Sequence, residues 1–163
     1  MDTENLRKLA CDFRKALEDV SDKNLYGRLS IFRRFPNGCC TYASDLLAQY
    51  LIDNGIPAES IQTITSETYK ERYTHCWVMI DERIFMDITA DQFNGKAYFM
   101  KYSPIPDCCI VPRNTGFYKL FHNRTTEYSR NVGLDAYGDD ISEKLKTVYS
   151  AAIQQIEGKA QRG

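Results

Sequence analysis

The sequence predicts an α+β fold for a single domain that spans residues 1–163. Apolar residues recur at helical spacing near both ends of the chain and again after Cys40. Segments rich in β-branched and aromatic residues follow one another between residues 61 and 89. A chain of 163 residues with 43% hydrophobic residues can bury one core. We therefore expect a cysteine-bearing helix on an antiparallel sheet of three or more strands, with N- and C-terminal helices outside.

Three helices are predicted from apolar residues three and four positions apart. The first covers residues 3–20, the second begins at Cys40 and ends at Asn54-Gly55, and the third begins near Ile141. Their apolar positions are, in chain order, Leu6, Leu9, Phe13, Leu17 and Val20; Ala43, Leu46, Leu47, Tyr50 and Leu51; and Ile141, Leu145, Val148, Tyr149, Ala152, Ile153 and Ile156. The last seven residues, 157–163, are expected to fray.

Strands are predicted over residues 61–65, 74–80 and 83–89, with Asp81 and Glu82 in a hairpin connection between the last two. Residues 90–138 mix aromatic side chains with Gly and Pro, which indicates short strands and loops that wrap on the sheet. Within them, Cys108–Val111 is typical of a buried apolar strand.

Charge and composition exclude several classes of protein. The chain has 21 Lys and Arg against 22 Asp and Glu, a net charge of −1, which argues against a general nucleic-acid binder. No apolar run reaches the ~18 residues of a membrane span, and the polar N-terminus does not resemble a signal peptide. We expect a cytoplasmic protein. Its six cysteines are too few for a disulfide scaffold, so they are expected to be thiols.

The first chemical feature is a pair of cysteines where a Pro/Gly turn enters the second helix. Gly38 precedes Cys39 and Cys40, and the helix begins there. Unpaired N–H groups and the positive end of the helix dipole favour thiolate over thiol, which lowers a cysteine pKa from about 8.5. The same N–H groups can donate to the oxyanion that forms when a carbonyl is attacked. A cysteine at this position is a candidate nucleophile.

The second feature is a histidine on one predicted strand and an aspartate on the next, His75 and Asp87. Their positions have the same parity, so a three-residue connection or a bulge places them on one face, whereas a two-residue turn separates them. If they meet, Asp87 can accept from one imidazole nitrogen and leave the other to activate a thiol. The residues then form a Cys-His-Asp triad. The alternative is that Asp87 caps a turn or pairs with Arg83.

These blocks resemble the transglutaminase-like branch of the papain-like cysteine hydrolases over roughly residues 35–93. Members of that family have Gly-x-Cys before a helix, with a small residue four positions on, then His-x-Trp and Asp-x-Thr. This chain has Gly38-Cys39-Cys40 with Ser44, His75-Cys76-Trp77 and Asp87-Ile88-Thr89, in the same order. The resemblance implies a papain-like core and an acyl-thioester mechanism that needs neither metal nor organic cofactor.

Of the adjacent cysteines, Cys40 is the expected nucleophile and Cys39 the alternate, because neighbours on a helix project ~100° apart. Cys40 satisfies Gly-x-Cys and has the small Ser44 one turn below it. The papain pattern of a Gln six positions before the cysteine fails, since position 34 is Arg. The expected oxyanion donors beside Gly38 are the backbone N–H of Cys40 first, then the side chains of Trp77 or Tyr42.

The expected function is a hydrolase or acyltransferase that acts on peptide or protein amides, as a protease, a deamidase or a transglutaminase-like enzyme. Two alternatives stay open. One is a catalytically silent binding module with the same fold. The other is a zinc protein, which the spacing disfavours because adjacent cysteines point apart. Its potential ligands are Cys39, Cys40, His75, Cys76, Cys108 and Cys109.

Overall fold

The computed structural model of the chain describes residues 2–22, 30–122, 125–127, 134 and 138–162. In these residues, three α-helices flank a five-stranded sheet. The helices are α1 (Thr3–Asp22), α2 (Cys40–Asp53) and α3 (Asp139–Ala160), and the strands are β1 (Ile61–Glu67), β2 (Thr74–Ile80), β3 (Ile84–Asp87), β4 (Cys109–Pro112) and β5 (Thr125–Glu127). The α+β class and the three predicted helices are confirmed.

Antiparallel pairing joins every pair of neighbours in the strand order β4-β3-β2-β1-β5. The three strands predicted between residues 61 and 89 lie together at the centre of the sheet, and the predicted apolar strand at Cys108–Val111 forms β4, one residue further along. Short 3-10 turns over 90–93, 97–102 and 116–120, together with β4 and β5, occupy part of the segment 90–138 that was expected to wrap on the sheet.

The β2–β3 hairpin has a three-residue connection. Ile80 pairs with Ile84, and the ladder continues toward the start of β2. Extending this register by one position sets Trp77 opposite Asp87, and His75 lies two residues from Trp77 on the same side. Residues directly opposite in an antiparallel pair project to the same face. The hairpin therefore meets the condition for His75 and Asp87 to share a face.

The two faces of the sheet bury different kinds of side chain. What we call the helical face carries aliphatic residues of the sheet, which pack in one core cluster with α1, α2 and α3. What we call the aromatic face packs against rings from residues 93–121. On the helical face these residues are Ile61, Val78, Ile80, Met86 and Ile110. On the aromatic face they are Ile64, Trp77, Met79, Phe85 and Cys109, covered by Phe93, Phe99, Phe117, Tyr118 and Phe121.

Most of the apolar positions predicted for the helices are buried or pack against the core, but Ile141 at the start of α3 is exposed. Leu6, Phe13, Leu17 and Val20 are buried along one side of α1, which packs against α3. The expectation that the chain frays from residue 157 is wrong, because α3 continues to Ala160. Charge at the helix end explains the difference: Lys159 pairs with Asp19 of α1, so the last turn is held by a long-range contact that helical spacing does not reveal.

In the part of the chain that the structure describes, no helix combines the length and apolarity needed to cross a bilayer.

Candidate active site

The turn before α2 presents Cys40 as the first residue of the helix. Gly38 has a φ of +71°, a left-handed conformation that side chains other than glycine rarely adopt, so it allows the chain to turn sharply into the helix. Cys39 occupies the N-cap position and makes no side-chain capping hydrogen bond. The first backbone N–H groups of a helix have no partner within it. The start of α2 therefore offers donors beside the Cys40 thiol.

The two adjacent cysteines lie in different environments. Cys39 is buried in the core of the helical face, and its thiol donates to the carbonyl of Pro36 at 3.3 Å. Burial raises the pKa of Cys39 to about 12. Cys40 is only partly buried, and His75 acts to lower the pKa of its thiol. A raised pKa keeps Cys39 protonated at neutral pH, whereas Cys40 has a basic neighbour.

His75 and Asp87 form a buried pair. His75 Nε2 lies 2.6 Å from Asp87 Oδ2, and each residue is 1% exposed. A carboxylate can only accept, so Nε2 carries the hydrogen of this bond. The other ring nitrogen, Nδ1, is thereby left for the proton of a thiol. This is the arrangement that the three-residue hairpin connection was predicted to produce.

Asp87 accepts three further hydrogen bonds. The backbone N–H and the hydroxyl of Thr89 donate to Oδ1 at 2.8 and 3.1 Å, and the Tyr118 hydroxyl donates to Oδ2 at 3.0 Å. Burial acts to raise the pKa of Asp87, but the charge and hydrogen bond of His75 with these donors hold it below its ordinary value. The bond with the Thr89 N–H also caps a turn, so Asp87 makes both the contact with His75 and the turn contact that the sequence left open as alternatives.

Electrostatics favour a thiolate beside an imidazolium. Burial acts to lower the pKa of His75, yet Asp87, by charge and hydrogen bond, and Cys40 raise it to about 9. Burial acts to raise the pKa of Cys40, and hydrogen bonding to His75, the charge of His75 and the backbone of Cys76 lower it below its ordinary value. Each group therefore favours the charged form of the other.

Gln92 contacts the ring on the side of Nδ1. Its amide nitrogen donates to the Thr89 carbonyl at 2.8 Å and lies 3.3 Å from Nδ1 of His75. The Thr89 carbonyl can only accept, so it fixes which end of the amide faces the ring. Nδ1 accepts from Gln92 only while it carries no proton. Gln92 therefore favours the neutral form of His75, whereas Asp87 favours its protonated form.

Arg14 of α1 contacts both the segment that follows β3 and the segment that precedes α2. Its guanidinium pairs bidentately with Asp91 at 2.9 and 3.0 Å, and it donates to the carbonyl of Ile88, the residue after Asp87. It also lies over the ring of Phe35, 4.6 Å from the ring centre, just before the turn that leads to Cys40. Arg14 is 4% exposed. A single buried cation thus holds the segment after β3 and the segment before α2 at fixed positions.

Of the other residues predicted for the site, one lies beside His75 and two have structural positions. Trp77 is fully buried, packs against the rings of Phe85, Tyr118 and Phe121, and lies beside His75. Within the described residues its indole N–H has no hydrogen-bond partner. Tyr42 packs against the core of the helical face. Gly38 shapes the turn.

The remaining cysteines do not belong to the group of Cys40, His75 and Asp87, although the backbone of Cys76 lies beside Cys40 and Cys109 pairs with Asp87 in the sheet. Cys76 and Cys109 are buried, and burial raises the pKa of each to about 12. Cys11 and Cys108 contact each other. Across the described residues, no three His, Cys, Asp or Glu side chains are grouped as metal ligands. His122, the second histidine of the chain, is exposed, and its ring lies tilted against that of Tyr69.

Three residues of the cluster, Arg14, Gln92 and Tyr118, are absent from the sequence-based candidates. Arg14 lies on a helix and Tyr118 in a 3-10 turn. Both reach the site through contacts of more than 30 residues' separation, 74 for Arg14 with Ile88 and 31 for Tyr118 with Asp87. Gln92 follows the Asp87-Ile88-Thr89 block closely, and its position there was the one local signal that could have identified it.

Comparisons of the chain with protein-family models, with curated proteins and with solved structures give no match. The likeness to the transglutaminase-like branch thus stays an expectation from three short blocks.

Proposed function

We propose that this protein is a cysteine-dependent hydrolase or acyltransferase that acts on peptide or protein amides. The observation that carries the proposal is the 2.6 Å bond between His75 Nε2 and buried Asp87, with His75 lowering the pKa of Cys40. A buried, fully hydrogen-bonded carboxylate, a histidine oriented by it and a thiol at a helix start together supply a nucleophile and a proton carrier.

In the proposed reaction, the Cys40 thiolate attacks the carbonyl carbon of the amide. Backbone N–H groups at the start of α2, that of Cys40 first, donate to the oxygen as it becomes an oxyanion. His75 gives a proton from Nδ1 to the departing nitrogen, the C–N bond breaks, and a thioester to Cys40 remains. Asp87 keeps the ring oriented and stabilises its cation throughout.

The acceptor decides which product the thioester yields. His75, neutral after the first step, takes a proton from water, and hydrolysis releases an acid; an amine in the same place gives acyl transfer. Cleavage of a main-chain amide makes this proteolysis, and release of ammonia from a side-chain amide makes it deamidation. Supporting access of such groups, Cys40 is partly exposed while His75 and Asp87 are shielded from water.

Alkylation with iodoacetamide near pH 6 tests the nucleophile. We expect one rapidly labelled cysteine, Cys40, because an unperturbed thiol is almost fully protonated at that pH. Labelling slows in His75→Ala. The matched control is His122→Ala, which removes the other, exposed histidine and leaves the rate unchanged. Uniformly slow labelling of all six cysteines would contradict the proposal and favour a silent binding module.

A peptide library tests turnover and ranks the three reactions. New acid termini indicate proteolysis, ammonia indicates deamidation, and conjugates with an added amine indicate acyl transfer. Each product must disappear in Cys40→Ala and persist in Cys109→Ala. Products that survive in Cys40→Ala would overturn the assignment of the nucleophile.

A further inference from the structure

Cys11 and Cys108 form a second pair of thiols, separate from Cys40. Their sulfur atoms are 2.6 Å apart, which is only about half an ångström longer than the ~2.05 Å of an S–S bond. Cys11 lies on α1, and Cys108 directly precedes β4. Their apposition is therefore tertiary, across 97 positions of sequence.

Contacts on both sides of the pair hold it in place. One turn before Cys11, the Arg7 guanidinium donates to the carbonyl of Ile110 at 3.3 Å. One turn after it, Arg14 donates to the carbonyl of Asp107 at 3.5 Å. Positions 7, 11 and 14 share one side of a helix. Two arginines thus fix the chain on either side of Cys108 against the side of α1 that carries Cys11.

The two sulfurs differ in access to solvent. Cys11 is partly exposed, whereas Cys108 is 7% exposed. Burial, together with the neighbouring Cys11, holds the pKa of Cys108 far above its ordinary value. A dissolved oxidant therefore meets Cys11 first, and Cys108 is placed to react with whatever forms there.

We propose that Cys11 and Cys108 are a redox modification site that closes to an intramolecular disulfide on exposure to a low-molecular-weight disulfide such as oxidised glutathione. The Cys11 thiolate attacks that disulfide, forms a mixed disulfide and expels one glutathione thiolate. Cys108, deprotonated, then attacks the Cys11 sulfur and expels the second. The protein loses two electrons and two protons, and the oxidant becomes two molecules of glutathione. The bond fastens α1 to β4.

The site is independent of the proposed acyl chemistry, so it can be tested without the candidate nucleophile. Cys40→Ala protein is equilibrated with oxidised glutathione, denatured, alkylated and mapped by mass spectrometry. We expect loss of two hydrogen atoms, a single cross-linked peptide pair that contains Cys11 and Cys108, and three rather than five alkylated cysteines. The rate rises with pH because Cys108 must lose a proton.

A thermal melt supplies a second measurement on the same protein. Closing a loop of this length is expected to raise Tm by about 5 to 15 °C in a domain of this size, reversibly on reduction. Cys11→Ser, a change at a partly exposed helix position, abolishes both the cross-link and the shift. Cys109→Ser, beside Cys108, retains them. Five free cysteines after equilibration, a stable mixed disulfide at Cys11, or a bond between other cysteines would each overturn the proposal.

Discussion

The helical face and the aromatic face of the sheet are both buried but differ in chemistry. On the helical face, side chains such as Val78, Ile80 and Met86 pack with the three helices. On the aromatic face, Trp77 and Phe85 share the surface with buried His75 and Asp87. Apolar packing is enough to stabilise the helical face. The aromatic face must also provide hydrogen-bond partners for charged groups that are shielded from water.

The charged groups that act on the Cys40 thiol therefore lie on the aromatic face, whereas the helical face contributes apolar packing. The rings of Phe93, Phe117 and Phe121 surround His75 at 4.8 to 6.5 Å between ring centres. Excluding water there strengthens the bond to Asp87. A change on the helical face should cost folding free energy alone, and a change in the charged network should alter the thiol as well.

The largest effect is expected from Asp87→Asn, because this change leaves His75 buried on the aromatic face without its charge partner. Unfolding free energy should fall by about 3 kcal/mol, since one member of a buried pair is lost. The pKa of His75 should drop toward its ordinary value, and alkylation of Cys40 at pH 6 should slow on the order of 10²-fold. Denaturant titration measures the unfolding free energy, and timed labelling measures the alkylation rate of Cys40.

The pH dependence of stability provides the control for Asp87→Asn. The folded pKa of His75, about 9, exceeds the unfolded ~6.5, so its contribution is complete below pH ~6.5 and is lost as pH rises through about 9. The pKa of Asp87 is lowered, so its contribution is present above pH ~3.9 and is lost as pH falls further. Wild-type stability should change in both windows, and the variant should be flatter in both. Identical profiles would show that the pair is not coupled to folding.

An effect of similar size on stability, with none on the thiol, is expected from Leu47→Ala in α2. Leu47 is fully buried in the core of the helical face, so removing three carbon atoms leaves a cavity and should cost about 2–4 kcal/mol. Because the variant leaves His75 and Asp87 unchanged, the labelling rate of Cys40 in native conditions should stay within about twofold of wild type. A tenfold change would mean that the two faces are coupled after all. Chemical denaturation and labelling on one sample make the test.

The smallest effect is expected from Tyr118→Phe, which tests a single hydrogen bond to Asp87 on the aromatic face. It keeps the ring and removes one of four hydrogen bonds to Asp87, which should cost about 1–2 kcal/mol. The pKa of Asp87 should rise, so the acid limb of the stability profile should move to higher pH. Tyr98→Phe, at a partly exposed ring of the same aromatic layer, is the matched control and should leave that limb in place. An unshifted limb in Tyr118→Phe would remove Tyr118 from the network.

Much of the fold could be predicted because its signals are local. The apolar spacing of α1 and α2, the stop at Asn54-Gly55 and the β-branched runs of β1 and β2 need no knowledge of partners. The sequence could not decide whether His75 and Asp87 lie on the same face of the sheet or on opposite faces. The three-residue length of the hairpin connection, which places them on the same face, became known only with the structure.

The rest of the site depends on long-range contacts. Tyr118 is one of several aromatic residues in a segment without clear periodicity, and its hydroxyl reaches Asp87 only because a 3-10 turn folds over the sheet. Arg14 has the sequence context of an exposed helix position with Glu18 four residues on, yet it is buried. A buried cation looks the same as a solvated one in sequence, so its role emerged only with the fold.

Arg14 has a consequence for how the chain can be divided. The three blocks that carry the family resemblance span residues 35–93, and they look like a portable unit. The cation that joins Asp91 and Ile88 to Phe35 comes from α1, outside that stretch. Grafting residues 35–93 onto another scaffold, or designing a minimal version of the protein, would therefore remove the cation that joins the segment after β3 to the segment before α2, unless the first helix is included.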